Sequence, residues 1–183
     1  VFCNDASQPL VGEKVEGISH LSLLSGKIGG SEAKFHCPKD DFEATLEALG
    51  ASKGTILFLE CKMVEPAKCK LSTAQEASIK AEFTGQVESA ELSTFKGSGA
   101  GEEFTSLTVE GEGCAIPGTF PVTGTQMVDM PTGGSSLAVQ EIVALKRNSK
   151  LLIGQGNKAT FSSTALVKLR AHPTLPWLIM KGE

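Results

Sequence analysis

Residues 159–170 read ATFSSTALVKLR, and their alternation decides the fold. Ala159, Phe161, Ser163, Ala165, Val167 and Leu169 fall on one side of an extended chain, opposite Thr160, Ser162, Thr164, Leu166, Lys168 and Arg170. Successive side chains of a strand point to opposite faces, so this period of two predicts a long antiparallel strand with Phe161, Ala165, Val167 and Leu169 turned inward. A slip of one residue would turn all four outward, which pins the register.

The same period recurs outward from this stretch. Ala33, Phe35 and Cys37 alternate with Glu32, Lys34 and His36, and Ala77, Ile79, Ala81 and Phe83 alternate with Ser78, Lys80 and Glu82. Around Thr55 to Lys62 both faces are apolar, which predicts a central strand covered on both sides. Further strands are expected over 15–24, 104–110 and 137–145, with turns rich in Gly, Pro and Ser at 25–31, 97–101, 117–125 and 131–136. Short strands at this spacing predict an all-β fold, an antiparallel β-sandwich or barrel. One segment disputes the pattern. Over 38–52, Asp40 or Asp41 can serve as N-cap, Phe42, Leu46 and Leu49 have helical spacing and Gly50 is a stop, so propensity predicts a short helix near 40–50. Phe42, Ala44, Leu46 and Ala48 also alternate, which suits a strand.

The length of 183 residues suits one domain over 1–183. GSGAG at 97–101 is the one candidate lobe boundary, and it reads more readily as a hairpin loop. Seventeen Lys and Arg against 21 Asp and Glu leave a net charge of −4 with charges scattered, so no basic stripe exists to neutralise phosphates. Nucleic acid is therefore not an expected partner. No apolar run approaches the roughly 18 residues of a membrane-spanning helix, so membrane insertion is not expected either. The chain begins at Val1 with no charged and apolar leader, the form left after signal-peptide removal, so the expected location is secreted, extracellular or at the cell surface.

Five cysteines lie at 3, 37, 61, 69 and 114, with none of the close pairs of a structural zinc site. Disulfides are the expected use. Cys37, Cys61, Cys69 and Cys114 are the candidates, with a cystine expected to join Cys37 or Cys61 to Cys69 or Cys114, and Cys3 is the odd or intermolecular thiol. His20, His36 and His172 are far apart in sequence, and no nucleophile elbow, zinc-protease helix motif or phosphate loop surrounds them. No catalytic, cofactor or metal site is expected; Asp40 and Asp41, and Glu102 and Glu103, lack the alternate spacing of a calcium loop and read as solvated charge or helix caps. With one Trp, no Tyr and nine Phe, mostly on core faces, the chain is poor in the aromatic platforms that stack on sugars. The terminal residues Val1 and Phe2, and the run Trp177, Leu178, Ile179 and Met180 in the tail PTLPWLIMKGE, are candidates for assembly by strand addition.

The segments Phe35-His36-Cys37, ILFLEC ending at Cys61, Cys69, GEGCAIPGTFPVTG over 111–124 and GNKATFSSTALVKL over 156–169 resemble a broad group of uncharacterised secreted β-rich proteins of actinobacteria. The resemblance covers about half the chain. It implies fold and export, and the strand reading of 41–48, but no activity. This chain departs from the pattern in having no second cysteine over 4–12 and no tyrosine, which leaves Cys3 without an implied partner. The resulting expectation is a non-enzymatic extracellular structural or assembly subunit, self-associating or joined to other surface proteins. The alternative is an extracellular module that binds a ligand or carbohydrate.

Overall fold

The computed structural model describes residues 1–180. The chain is all-β, with fifteen strands among the described residues: β1 Phe2–Asn4, β2 Lys14–Ser19, β3 Ser22–Ile28, β4 Ser31–Cys37, β5 Lys39–Leu46, β6 Ala51–Leu59, β7 Lys62–Glu65, β8 Lys70–Leu71, β9 Ser78–Ser89, β10 Leu92–Gly97, β11 Glu103–Glu110, β12 Gly118–Asp129, β13 Val139–Ile153, β14 Asn157–Leu169 and β15 Trp177–Ile179. A single turn of α-helix, α1 (Thr73–Ala77), and a 3-10 turn at Ala48–Gly50 complete it. Eight strands close an antiparallel barrel in the order β14, β2, β5, β6, β9, β10, β12, β13 and back to β14. Closure removes the free edges that an open sheet would expose.

Five further strands, β3, β4, β7, β8 and β11, lengthen this barrel at one end. Along β14, residues Ala165–Leu169 pair with β2 and residues Ala159–Ser162 pair with β3, so β2 and β3 lie end to end on one neighbour, separated by a jog at His20 and Leu21. The next two strand lines are broken at a matching level: β5 and β4 are separated by Pro38, and β6 and β7 by Glu60 and Cys61. On the far side β10 and β11 lie end to end along β12, separated by the loop 98–102. The core is divided accordingly. One cluster fills the barrel around a stack of Phe42, Phe83 and Phe95, with ring centroids 4.6 to 6.2 Å apart, and the second fills the extension around Phe35, Leu71, Leu107 and Ile153. Offset ring packing of this kind adds to the gain from burial alone.

Several sequence expectations change. The segment 39–46 is strand β5, not a helix, because it finds backbone partners on both sides, in β2 and in β6, and its Phe42, Ala44 and Leu46 are buried. Tertiary pairing overrides helical propensity here, and Asp40 and Asp41 cap nothing. The stretch 117–125 is not a turn but the first half of β12, with Pro121 opposite Ser106. The stretch 15–24 is two strands, and the turn expected at 25–31 shrinks to Gly29 and Gly30 between β3 and β4. The loop after Gly97 is not a hairpin, since the chain continues in the same direction along β12. It folds so tightly that a Cβ on Gly97 would lie 2.2 Å from the carbonyl oxygen of Glu102. The strand 159–170 is as expected: Val167 and Leu169 are wholly buried, and Lys168 reaches Glu16 on the outer surface.

The cystines are Cys37–Cys61 and Cys69–Cys114. The expected bridge between the first couple and the second is thus corrected. Cys37 and Cys61 close neighbouring strand ends at the jog line, whereas Cys69 is carried by the turn into β8 and meets the loop between β11 and β12. Cys3 is free and buried. The two ends of the chain pair with each other: Phe2, Cys3 and Asn4 lie opposite Ile179, Leu178 and Trp177, and the Val1 ammonium donates to the Met180 carbonyl at 2.6 Å. Phe2, Trp177 and Ile179 join the first core cluster, so the ends seal one mouth of the barrel. The last three residues of the expected tail, 181–183, lie outside the described residues.

Candidate functional site: a cavity with one buried carboxyl

Between the two core clusters the barrel holds a cavity of about 120 Å³. A single water needs roughly 10 to 15 Å³, so the space exceeds a packing defect. Its wall is built from both clusters, with Phe42, Phe95 and Val128 on one side and Phe35, Ile79 and Leu107 on the other. The apolar lining follows from the period of two, which turns every second residue of these strands inward.

A polar spot interrupts this lining at the jog line. Asp40 is 3% exposed, and Ser19 and Ser22 are 1% and 2% exposed. Asp40 lies on β5 in phase with Phe42, Ala44 and Leu46, so the pleat that buries those three also aims its carboxyl inward. Ser19 is opposite Asp40 across the β2–β5 pairing, Ser22 opens β3 just past the jog, and Ser163 lies on β14 between the residues that pair with β3 and those that pair with β2. The Ser22 hydroxyl donates to Asp40 Oδ2. Ser163 Oγ is 2.8 Å from both Ser22 Oγ and Ser19 Oγ. Burial pushes the Asp40 carboxyl above its ordinary value, assisted by the neighbouring Asp41 carboxylate, while the hydroxyls of Ser22, Ser19 and Ser163 pull it back. The other buried polar group on the wall, Gln126, is spent on structure: its amide donates to the Met127 carbonyl at 2.8 Å, and its oxygen accepts from Ser149 at 2.5 Å.

A seam in the wall borders this cavity. β9 pairs with β10 from Phe83 onward, and at the 98–102 loop the chain leaves β9, so Ser78–Glu82 and Glu103–Ser106 face each other without strand pairing. A surface groove lies over the seam, bordered by Lys80, Glu82 and Glu103, and Phe104 and Thr105 line both groove and cavity. The open edge of β11 is held from below by α1: Gln75 donates to the Ser106 carbonyl at 2.7 Å and accepts from the Thr108 N–H at 2.7 Å.

The residues singled out in the sequence fall elsewhere. His20 is exposed at the jog between β2 and β3, His36 is half-buried on β4, and His172 is exposed after β14. Glu102 pairs with Lys96 at 3.0 Å, and Glu103 accepts from Ser106 at 2.8 Å. Val1, Phe2, Trp177, Leu178, Ile179 and Met180 form the seal of the barrel mouth described above. Sequence reasoning placed Ser163 on the inward face of its strand but passed over Asp40, assigned to solvent or a helix cap. Its phase with Phe42, Ala44 and Leu46 was the available signal: a carboxyl on an otherwise apolar inward face. No family model matches the chain, and no curated protein or solved structure matches it.

Proposed function

We propose that this protein is a binding module, working outside the cell, for a small and largely apolar ligand held in the barrel cavity. The observation that carries the reading is the cavity itself, roomy and apolar with a single buried polar cluster, the usual make-up of a small-molecule site. Extracellular use draws support from the two cystines, which persist in oxidising surroundings. No helix among the described residues is long and apolar enough to cross a membrane. Sugar binding draws no support from the aromatic residues, since Trp177 is buried in the sealed mouth and the stacked Phe rings are internal.

Titration of isotope-labelled protein with toluene, followed by amide NMR, tests the reading. Apolar cavities of roughly 150 Å³ take up benzene, so toluene is a fitting first ligand. Shifts confined to cavity-wall residues such as Phe42, Phe95 and Ala144 are expected. An unchanged spectrum at saturating toluene would remove the proposal.

The assembly reading keeps one observation of its own. On the outer surface Ile18 and Leu166 are cross-strand partners, each 53% exposed, and Val139 lies diagonally beside them at 43%. A self-association face there would show as a concentration-dependent mass in light scattering, abolished by Leu166→Lys.

A further inference from the structure

Among the described residues Asp40 is the one titratable side chain on the cavity wall, and it is 3% exposed. Its polar neighbours there are hydroxyls: Ser22 donates to Oδ2, and Ser163 Oγ lies 2.8 Å from the Oγ of both Ser22 and Ser19. None of the three carries a charge to balance that of the carboxylate. The rest of the wall offers little, since Gln126 has its amide on backbone carbonyls. A carboxylate taken out of water without a counter-charge is costly, and a cationic donor offsets that cost most directly.

We propose that the cavity binds a primary amine carried on a small apolar body, with the ammonium donating to Asp40 and the apolar body lying against the Phe42 and Phe95 rings. This rests on the cavity reading above and names its ligand class. The seam between β9 and β11 is the way in that this proposal names, with Phe104 and Thr105 lining both the groove and the cavity.

Benzylamine, benzyl alcohol and toluene share one ring and differ in the group offered to Asp40. In amide NMR titrations of the full chain at neutral pH, benzylamine is expected to bind about tenfold more tightly than the other two, as befits a charge-assisted hydrogen bond. Asp40→Asn is expected to remove that advantage, so that benzylamine and toluene bind the variant about equally. Should the variant not fold, the wild-type protein answers the same question: saturating benzylamine lowers the apparent pKa of the Asp40 side-chain carboxyl, read by carbon NMR, and toluene does not. Equal binding of benzylamine and toluene overturns the amine assignment and leaves the apolar cavity standing. Tightest binding of benzyl alcohol overturns it too, transferring the serines and Asp40 to hydroxyl recognition. Failure of all three ligands to bind overturns both readings.

Discussion

Asp40 is an expensive residue to keep in an apolar barrel. Its folded-state pKa is raised above the ordinary value near 3.8, chiefly because burial disfavours the charged form. For an acid shifted in this direction, the neutral form is the one the fold prefers. Its contribution to stability is fully present below the ordinary carboxylate value and is lost as pH rises through the raised folded value, because the unfolded chain ionises more easily. Above the ordinary value the buried acid therefore weakens the fold. Asn occupies nearly the same volume, accepts from Ser22 and carries no charge. Asp40→Asn is expected to melt at a higher temperature than the wild type at pH 7, with the gap narrowing as the pH is lowered toward 3.8. Circular-dichroism melts at several pH values would check it, and a variant less stable at pH 7 would show that hydrogen bonding to the carboxylate outweighs its desolvation. A residue that costs stability and faces a cavity is where function is to be sought.

At the scale of elements, the seam depends on one side chain. α1 is a single turn, and Gln75 on it satisfies one acceptor and one donor on the free edge of β11. Gln75→Ala leaves the Ser106 carbonyl and the Thr108 N–H without those partners, at a cost of about 1 to 3 kcal/mol. Beyond the stability loss, the amide of Thr108 is expected to exchange with solvent faster and toluene to enter and leave more quickly, both measurable by NMR. Unchanged exchange at Thr108 would mean that the edge is held by other contacts. Much of the strand pattern was legible beforehand, and residues 159–170 show why: where one face is buried and the other wet, the period of two survives in the sequence. The jogs were not legible, because VEGISHLSLL has no Gly or Pro at His20 and Leu21, where the pairing partner changes from β5 to β4. Nor was β12. Gly118, Pro121 and Gly124 suit a turn, yet the strand absorbs the two glycines at positive φ and places Pro121 within its register. The candidate site was half legible, since Ser163 stood on the correct face while the helical spacing of Phe42, Leu46 and Leu49 drew Asp40 to a helix cap.

For the whole molecule, the pairing of the two ends makes the first and last strands one structural unit. Isolated two-stranded pieces are marginal in water, so β1 and β15 hold only because both lie on the barrel mouth. Phe2 and Trp177 are 7% and 3% exposed, with ring centroids 6.4 Å apart, and Gln140, buried behind them, donates to the Trp177 carbonyl at 2.6 Å. Truncating either ring opens a cavity beneath the other, so Phe2→Ala and Trp177→Ala are each expected to cost about 3 to 5 kcal/mol. Their effects should not add. Once one end is loosened the other has lost most of its packing, so the double variant is expected to fall short of the sum by about 1 to 3 kcal/mol. Trp177→Phe provides the control: Trp177 Nε1 is buried and makes no hydrogen bond among the described residues, so replacing indole by phenyl removes an unpaired donor along with some volume. That variant is expected to cost much less than the alanine. Denaturant melts of the four proteins in the cycle measure the coupling, and strict additivity would mean that β1 and β15 seat on the barrel independently. The outcome also bears on assembly. Ends coupled to each other within one chain are not free to extend a neighbour's sheet, whereas uncoupled ends would restore strand exchange as a route between copies.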